Sequence, residues 1–128
     1  MTARLVIRGG RVIDPASDLD MVGDVVIENG RIAAVGASGV AAGPAETFDA
    51  SGLVVTPGFV DLHTHLRDPG FEYKETIEAG TRAAARGGFT TVCAMPNTNP
   101  PADSRATIDY VLRTAAATGV VRVLPIGC

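Results

Sequence analysis

The chain has 128 residues, of which 46% are hydrophobic and 20% charged, enough apolar material for a packed core and no signature of disorder. Its 11 Lys and Arg are outnumbered by 14 Asp and Glu, giving a formal charge of −3; the basic residues are scattered, so the footprint of a nucleic-acid binder is missing. No apolar run approaches the roughly 18 residues of a membrane span, and Leu5-Val6-Ile7 before Arg8 is too short for a signal-peptide core, which predicts a cytoplasmic protein with no nucleic-acid or membrane partner.

The first 56 residues and the remainder follow different periodicities, which places a domain boundary near Thr56-Pro57-Gly58. Leu5-Val6-Ile7-Arg8 runs through Gly9-Gly10 into Arg11-Val12-Ile13, a two-residue glycine connection that suits a primed hairpin turn. Asp24-Val25-Val26-Ile27-Glu28 passes through Asn29-Gly30 into Arg31-Ile32-Ala33-Ala34-Val35. Both central residues of a type I′ turn need positive φ, which Asn and Gly tolerate best. Each hairpin places Gly-Arg and then an aliphatic residue after its turn, which suggests an internal repeat. Gly36 to Ala45 is small and unpatterned and reads as a surface loop. Leu53-Val54-Val55 supplies one more strand. No catalytic residue types gather in this β layer, so its expected role is structural.

From Gly58 the pattern becomes strand, helix, strand, helix, strand. Phe59 to His65 reads as a strand closed by Pro69-Gly70, and Glu75 to Arg86 carries helix formers that stop at Gly87-Gly88. Phe89 to Ala94 is the second strand. Asp103 or Ser104 can cap a helix running to Ala117, stopped by Gly119, before a third strand at Val120–Leu124. Strands alternating with helices imply a parallel sheet with its chemistry at the carboxyl ends of the strands.

His63 and His65, the only two histidines, stand at such an end. Residues i and i+2 of a strand project from one face, so both imidazoles point into one pocket, and neutral imidazole is the commonest protein ligand for zinc. The competing reading is a pair of ordinary histidines on a half-exposed strand. Arg67 follows the same strand and Asn97 the next one. Asp61 shares the parity of the histidines but, at the strand start, is left outside the site. Cys93 and Cys128 form no metal or redox spacing and read as reduced core thiols.

Gly58-Phe59-Val60-Asp61-Leu62-His63-Thr64-His65-Leu66-Arg67-Asp68-Pro69-Gly70, Lys74-Glu75-Thr76, Gly87-Gly88-Phe89-Thr90-Thr91-Val92 and Met95-Pro96-Asn97-Thr98-Asn99-Pro100 resemble the N-terminal portion of the dihydroorotases, members of the amidohydrolase superfamily. His-x-His marks the superfamily. His-Leu-Arg followed by Met-Pro-Asn-Thr separates dihydroorotases from hydantoinases and allantoinases. The resemblance implies an α/β fold: a (β/α)8 TIM barrel of which about the first three strands lie in residues 57–128, preceded in residues 1–56 by part of a small β-sandwich. It implies reversible cyclisation of N-carbamoyl-L-aspartate to L-dihydroorotate in pyrimidine biosynthesis, with His63 and His65 on Zn2+ (one or two ions in the complete enzyme, or another divalent metal). His65, Arg67 and Asn97 would contact the substrate, Arg67 and Asn97 through its carboxylate. It further implies a homodimer or association with aspartate transcarbamoylase.

A (β/α)8 barrel takes about 250 residues, so the chain is expected to be truncated, with the remaining metal ligands and the general acid/base on later strands, no catalytic residue of its own and no activity alone. Two other readings stand beside this one. A cyclic amidohydrolase of the dihydropyrimidinase or allantoinase type would act on a ring whose substituents differ; the dihydropyrimidinase ring lacks the carboxylate and would leave Arg67 without a partner. A non-catalytic, dihydroorotase-like scaffold subunit is the third.

Overall fold

A computed structural model describes residues 4–37, 39 and 43–128. The chain divides into two compact units, Met1–Pro57 and Gly58–Cys128.

The first unit is one five-stranded mixed sheet. Its strands are β1 (Arg4–Asp14), β2 (Leu19–Glu28), β3 (Arg31–Gly36), β4 (Glu46–Asp49) and β5 (Val54–Val55). The order is β3-β2-β1-β4, with β5 also pairing β1. β1–β2 and β2–β3 are antiparallel, whereas β4 and β5 run parallel to β1. Val6, Val12, Val25 and Val26 are buried in it.

The expected hairpin at Gly9-Gly10 is not there. β1 continues straight through as one strand, and the register jumps from Ile7↔Val25 to Gly10↔Gly23, so Arg8 and Gly9 form a β-bulge opposite Asp24. Of the glycine pair only Gly9 has positive φ, at 69°, whereas a type I′ turn requires it at both positions. The buried Asp24 carboxylate takes the displaced Gly9 amide at 3.0 Å, which leaves the strand no reason to reverse. The reversal comes later, in a 3-10 turn at Pro15–Ser17 held by Asp14 and closed by Asp18 in the left-handed region. Asn29-Gly30 does turn the chain, with φ of 52° and 74°. One bulge and one turn make no repeat. Part of the expected 36–45 loop, residues 38 and 40–42, lies outside the described residues.

The second unit is a three-stranded parallel sheet, β6 (Phe59–Thr64), β7 (Phe89–Ala94) and β8 (Arg122–Pro125), in the order β6-β7-β8. Helix α1 (Ile77–Arg86) joins the first pair and α2 (Arg105–Thr118) the second. Thr76 caps α1 by accepting from the Ala79 amide at 3.1 Å, and Ser104 caps α2 through the Thr107 amide at 3.4 Å. Ile77, Val92, Ala94, Val111 and Val123 form the core with Leu66, and Phe89, Ala84, Ala115 and Val121 pack around them. Full burial of each large aliphatic side chain contributes about 1.5–3 kcal/mol. The third strand begins at Arg122, two residues later than expected. Cys93 is half-buried, but Cys128 is exposed at the chain end, so it is not the core thiol anticipated. No helix among the described residues is long and apolar enough to cross a membrane.

Candidate metal and substrate site

At the carboxyl end of β6 the pairing with β7 slips from Asp61↔Val92 to Thr64↔Ala94, so Leu62 and His63 together face Cys93 alone. Such a bulge re-aims side chains. The Asp61 carboxylate accepts the His63 amide at 2.9 Å, and the Thr64 hydroxyl donates to the Cys93 carbonyl at 2.9 Å. Leu66 is only 4% exposed and reaches so close to α1 that a side chain at Gly80 would meet its Cδ2 at 2.5 Å. That apolar anchor leaves His65 and Arg67, its two neighbours, partly exposed on the rim.

The two imidazoles converge. His63 Nε2 lies 3.2 Å from His65 Nε2, with the rings edge to face at 5.1 Å between centroids. Zn–N bonds are about 2.0–2.1 Å, so one ion bonded to both nitrogens would see them about 100° apart, close to the tetrahedral angle. The donor set fits a zinc-class ion. Among the described residues no cluster of three or more His, Cys, Asp or Glu is placed to hold a metal, and two imidazoles are fewer than the three protein ligands usual at a catalytic zinc.

Asn97, in the loop after β7, joins this pair: its Oδ1 lies 2.9 Å from His65 Nδ1. Arg67 does not. Its backbone sits at φ 60°, a left-handed conformation uncommon for a side-chain-bearing residue and characteristic of functional loops, and its guanidinium makes no ion pair or hydrogen bond to another described residue. An open cleft of about 290 Å³ beside α1 touches Asp61, His65 and Glu75 but not His63, Arg67 or Asn97, so these residues do not share it.

Residues 52–128 match a family model described as Dihydro-orotase-like. The chain belongs to that family. It is 56% identical over 123 residues to the dihydroorotase of Solibacter usitatus, covering 96% of this chain and 28% of that protein. Against the dihydroorotase of Geobacter metallireducens the identity is 54% over 123 residues, covering 96% of this chain and 29% of that one. In three dimensions it resembles the L-hydantoinase (dihydropyrimidinase) of Arthrobacter aurescens, with a TM-score of 0.87 at 28% identity, over 99% of this chain and 28% of that chain. The chain thus spans little more than a quarter of the length of the curated relatives it matches.

In this dihydroorotase-like chain the sequence did not reveal the hydrogen bonds that Asp68 makes to the two helices. Asp68, 5% exposed, accepts from the Tyr110 hydroxyl of α2 at 2.9 Å and from the Ile77 amide, the first of α1, at 3.3 Å. Its hydrogen bond raises the Tyr110 phenol above the usual tyrosine range, with burial adding to the shift. Next to it, the Gly70 amide bond holds the Glu72 carboxyl below the ordinary carboxylate range. No periodicity flags a pairing between residues 68 and 110; an Asp before Pro69 reads first as a turn former.

Proposed function

We propose that this chain forms the corner of a dihydroorotase site that binds one edge of the metal and the substrate carboxylate, in an enzyme that reversibly cyclises N-carbamoyl-L-aspartate to L-dihydroorotate for pyrimidine biosynthesis in the cytoplasm. The observation that carries this reading is the convergence of His63 Nε2 and His65 Nε2 at 3.2 Å, with Asn97 bonded behind His65, in a chain more than half identical to curated dihydroorotases. In this reading residues 57–128 are the first strands of a (β/α)8 barrel and residues 1–56 part of a β-sandwich. His63 and His65 would hold Zn2+ or a similar divalent ion. When bound, the ion supplies Lewis-acid chemistry to the ring amide and acidifies water.

The chain's own residues bind and orient. Arg67 offers a planar pair of donors to the substrate carboxylate, a geometry Lys cannot reproduce, and Asn97 presents its amide NH2 to the same group. No residue of the chain is assigned the proton transfer. A homodimer or an association with aspartate transcarbamoylase belongs to the same proposal. The fold likeness to a dihydropyrimidinase favours a second reading, in which the ring carries no carboxylate and Arg67 has no partner.

A chimera in which this chain replaces the matching segment of the Solibacter usitatus dihydroorotase tests both. Turnover of dihydroorotate far above dihydrouracil, with kcat/KM lowered about 10- to 100-fold by Arg67→Ala, is the expected result. A folded, metal-loaded chimera that is inert, or whose turnover ignores Arg67, overturns the proposal. The 128-residue chain alone should show no turnover, because two imidazoles do not close a catalytic coordination sphere.

A further inference from the structure

We infer that Asn97 is a positioning residue for His65: its Oδ1 accepts the Nδ1 proton and thereby leaves the Nε2 lone pair of His65 directed at the point it shares with His63. One general property of imidazole and two contacts in the site support this. A neutral imidazole carries one ring proton, and the hydrogen bond made by one nitrogen decides where that proton sits. The 2.9 Å contact pairs His65 Nδ1 with the amide oxygen, which can only accept. The two Nε2 atoms face each other at 3.2 Å, so a proton held on His65 Nδ1 leaves the His65 Nε2 lone pair facing the point they share.

The amide is held from its own side as well. The loop that carries it is tied to the β6 end by the Met95 amide on the Thr64 carbonyl at 2.8 Å, and to the following segment by the Asn99 amide on the Pro69 carbonyl at 3.0 Å. With Oδ1 committed to His65, only the NH2 of Asn97 remains for another partner. In the proposed function, on which this clause rests, that partner is the substrate carboxylate, so one amide sets a metal ligand with one end and grips substrate with the other. The roles separate by substitution. Asn97→Asp keeps an oxygen opposite Nδ1 but replaces the NH2 with a second oxygen; Asn97→Ala removes both.

The test is the 15N spectrum of the histidine rings in the full, metal-free 128-residue chain, above the ordinary histidine titration range, with His63→Gln to assign the pair. His65 should show a protonated Nδ1 and an unprotonated Nε2, Asn97→Ala should lose that tautomer, and Asn97→Asp should keep it. Titration with zinc alone should be weakened about 10- to 100-fold by Asn97→Ala, in line with other ligand-orienting partners, and little by Asn97→Asp. A wild-type His65 protonated on Nε2, or a tautomer indifferent to Asn97→Ala, overturns the inference. In the metal-free chimera, which supplies the remaining ligands, zinc that shifts neither ring would instead overturn the metal reading while the tautomer result stands, so the two failures are distinguishable.

Discussion

Replacing Asp68 with Ala removes a side chain that hydrogen-bonds the loop after β6 to both helices. The Ile77 amide loses its acceptor inside a residue that is 0% exposed, and water cannot reach it unless α1 opens; a buried donor left unpaired costs about 1–3 kcal/mol. The Tyr110 hydroxyl also loses its partner, but Tyr110 is 39% exposed, so water replaces the carboxylate there and the loss is nearer 1 kcal/mol. Releasing the carboxylate from its own burial offsets part of this. The net expectation is about 2–3 kcal/mol, a large share of the 5–15 kcal/mol that holds a typical domain. Urea unfolding followed by circular dichroism reads it directly: with a slope of about 1–3 kcal/mol per molar, the midpoint should fall by roughly 1 M at unchanged slope. Tyr110→Phe removes only the outer bond and should cost less. It should also alter the alkaline limb. Because the phenol is held above its usual value, the folded state keeps this proton where the unfolded chain has begun to lose it, so stability present below about pH 10 is lost as the pH rises through the raised value; Tyr110→Phe abolishes that decline. A midpoint that barely moves for Asp68→Ala, or a larger loss for Tyr110→Phe than for Asp68→Ala, would refute the reasoning.

In the chimera, His63→Ala with His65→Ala should remove one equivalent of metal and most turnover, since both nitrogens serve one ion; unchanged metal stoichiometry defeats the assignment. Arg67→Ala should lower kcat/KM about 10- to 100-fold, the worth of a charge-assisted pair of about 1.5–3 kcal/mol, while metal content stays near normal. Asp24 gives an acid-side test in the first unit. The Gly39 and Gly9 amides hold its carboxyl below the usual range, so its contribution is present above about pH 4 and lost as the pH falls through the lowered value; Asp24→Asn should flatten the acid limb of stability measured by urea midpoints.

Local chemistry was readable where it was self-sufficient. Asn29-Gly30 turns the chain because two residues suited to positive φ meet at a strand end, and the strand–helix alternation after Gly58 shows through because each helix brings its own cap and stop. Gly9-Gly10 misled because a glycine pair permits a turn without requiring one, and the Asp24 carboxylate settles the matter from 15 residues away. Asp14-Pro15 carried the true reversal signal and was passed over. β4 was missed because Glu46–Asp49 is exposed throughout and shows no apolar alternation. In the candidate site the i, i+2 spacing of His63 and His65 predicted a shared face within one strand; β6 stops at Thr64, so His65 lies one residue beyond it, yet the two Nε2 atoms still come within 3.2 Å. The bulge that converges their Nε2 atoms was not legible, because it depends on the register against β7 and on Asp61 taking the freed amide.

The corner around His65 owes its geometry to neighbours within residues 61–102. Thr64 is bonded by its hydroxyl to Cys93 of β7 and by its carbonyl to the amide of Met95 just beyond that strand, Leu66 is plugged under α1, and Gly70 approaches Asn99 so closely that no side chain fits between them. Across that pair the Asn99 amide reaches the Pro69 carbonyl at 3.0 Å, while the Ala102 amide closes the Asn97 loop on Pro96 at 3.0 Å. Ordering a long side chain on binding costs up to about 2 kcal/mol, and here His65 and Asn97 already hold each other before any ligand arrives. Arg67 is the exception, its backbone set at φ 60° but its guanidinium without a partner among the described residues. In the proposed function the imidazole pair would thus meet an ion already ordered through the His65–Asn97 contact, whereas the arginine would complete its hydrogen bonds only when an anionic ligand arrives.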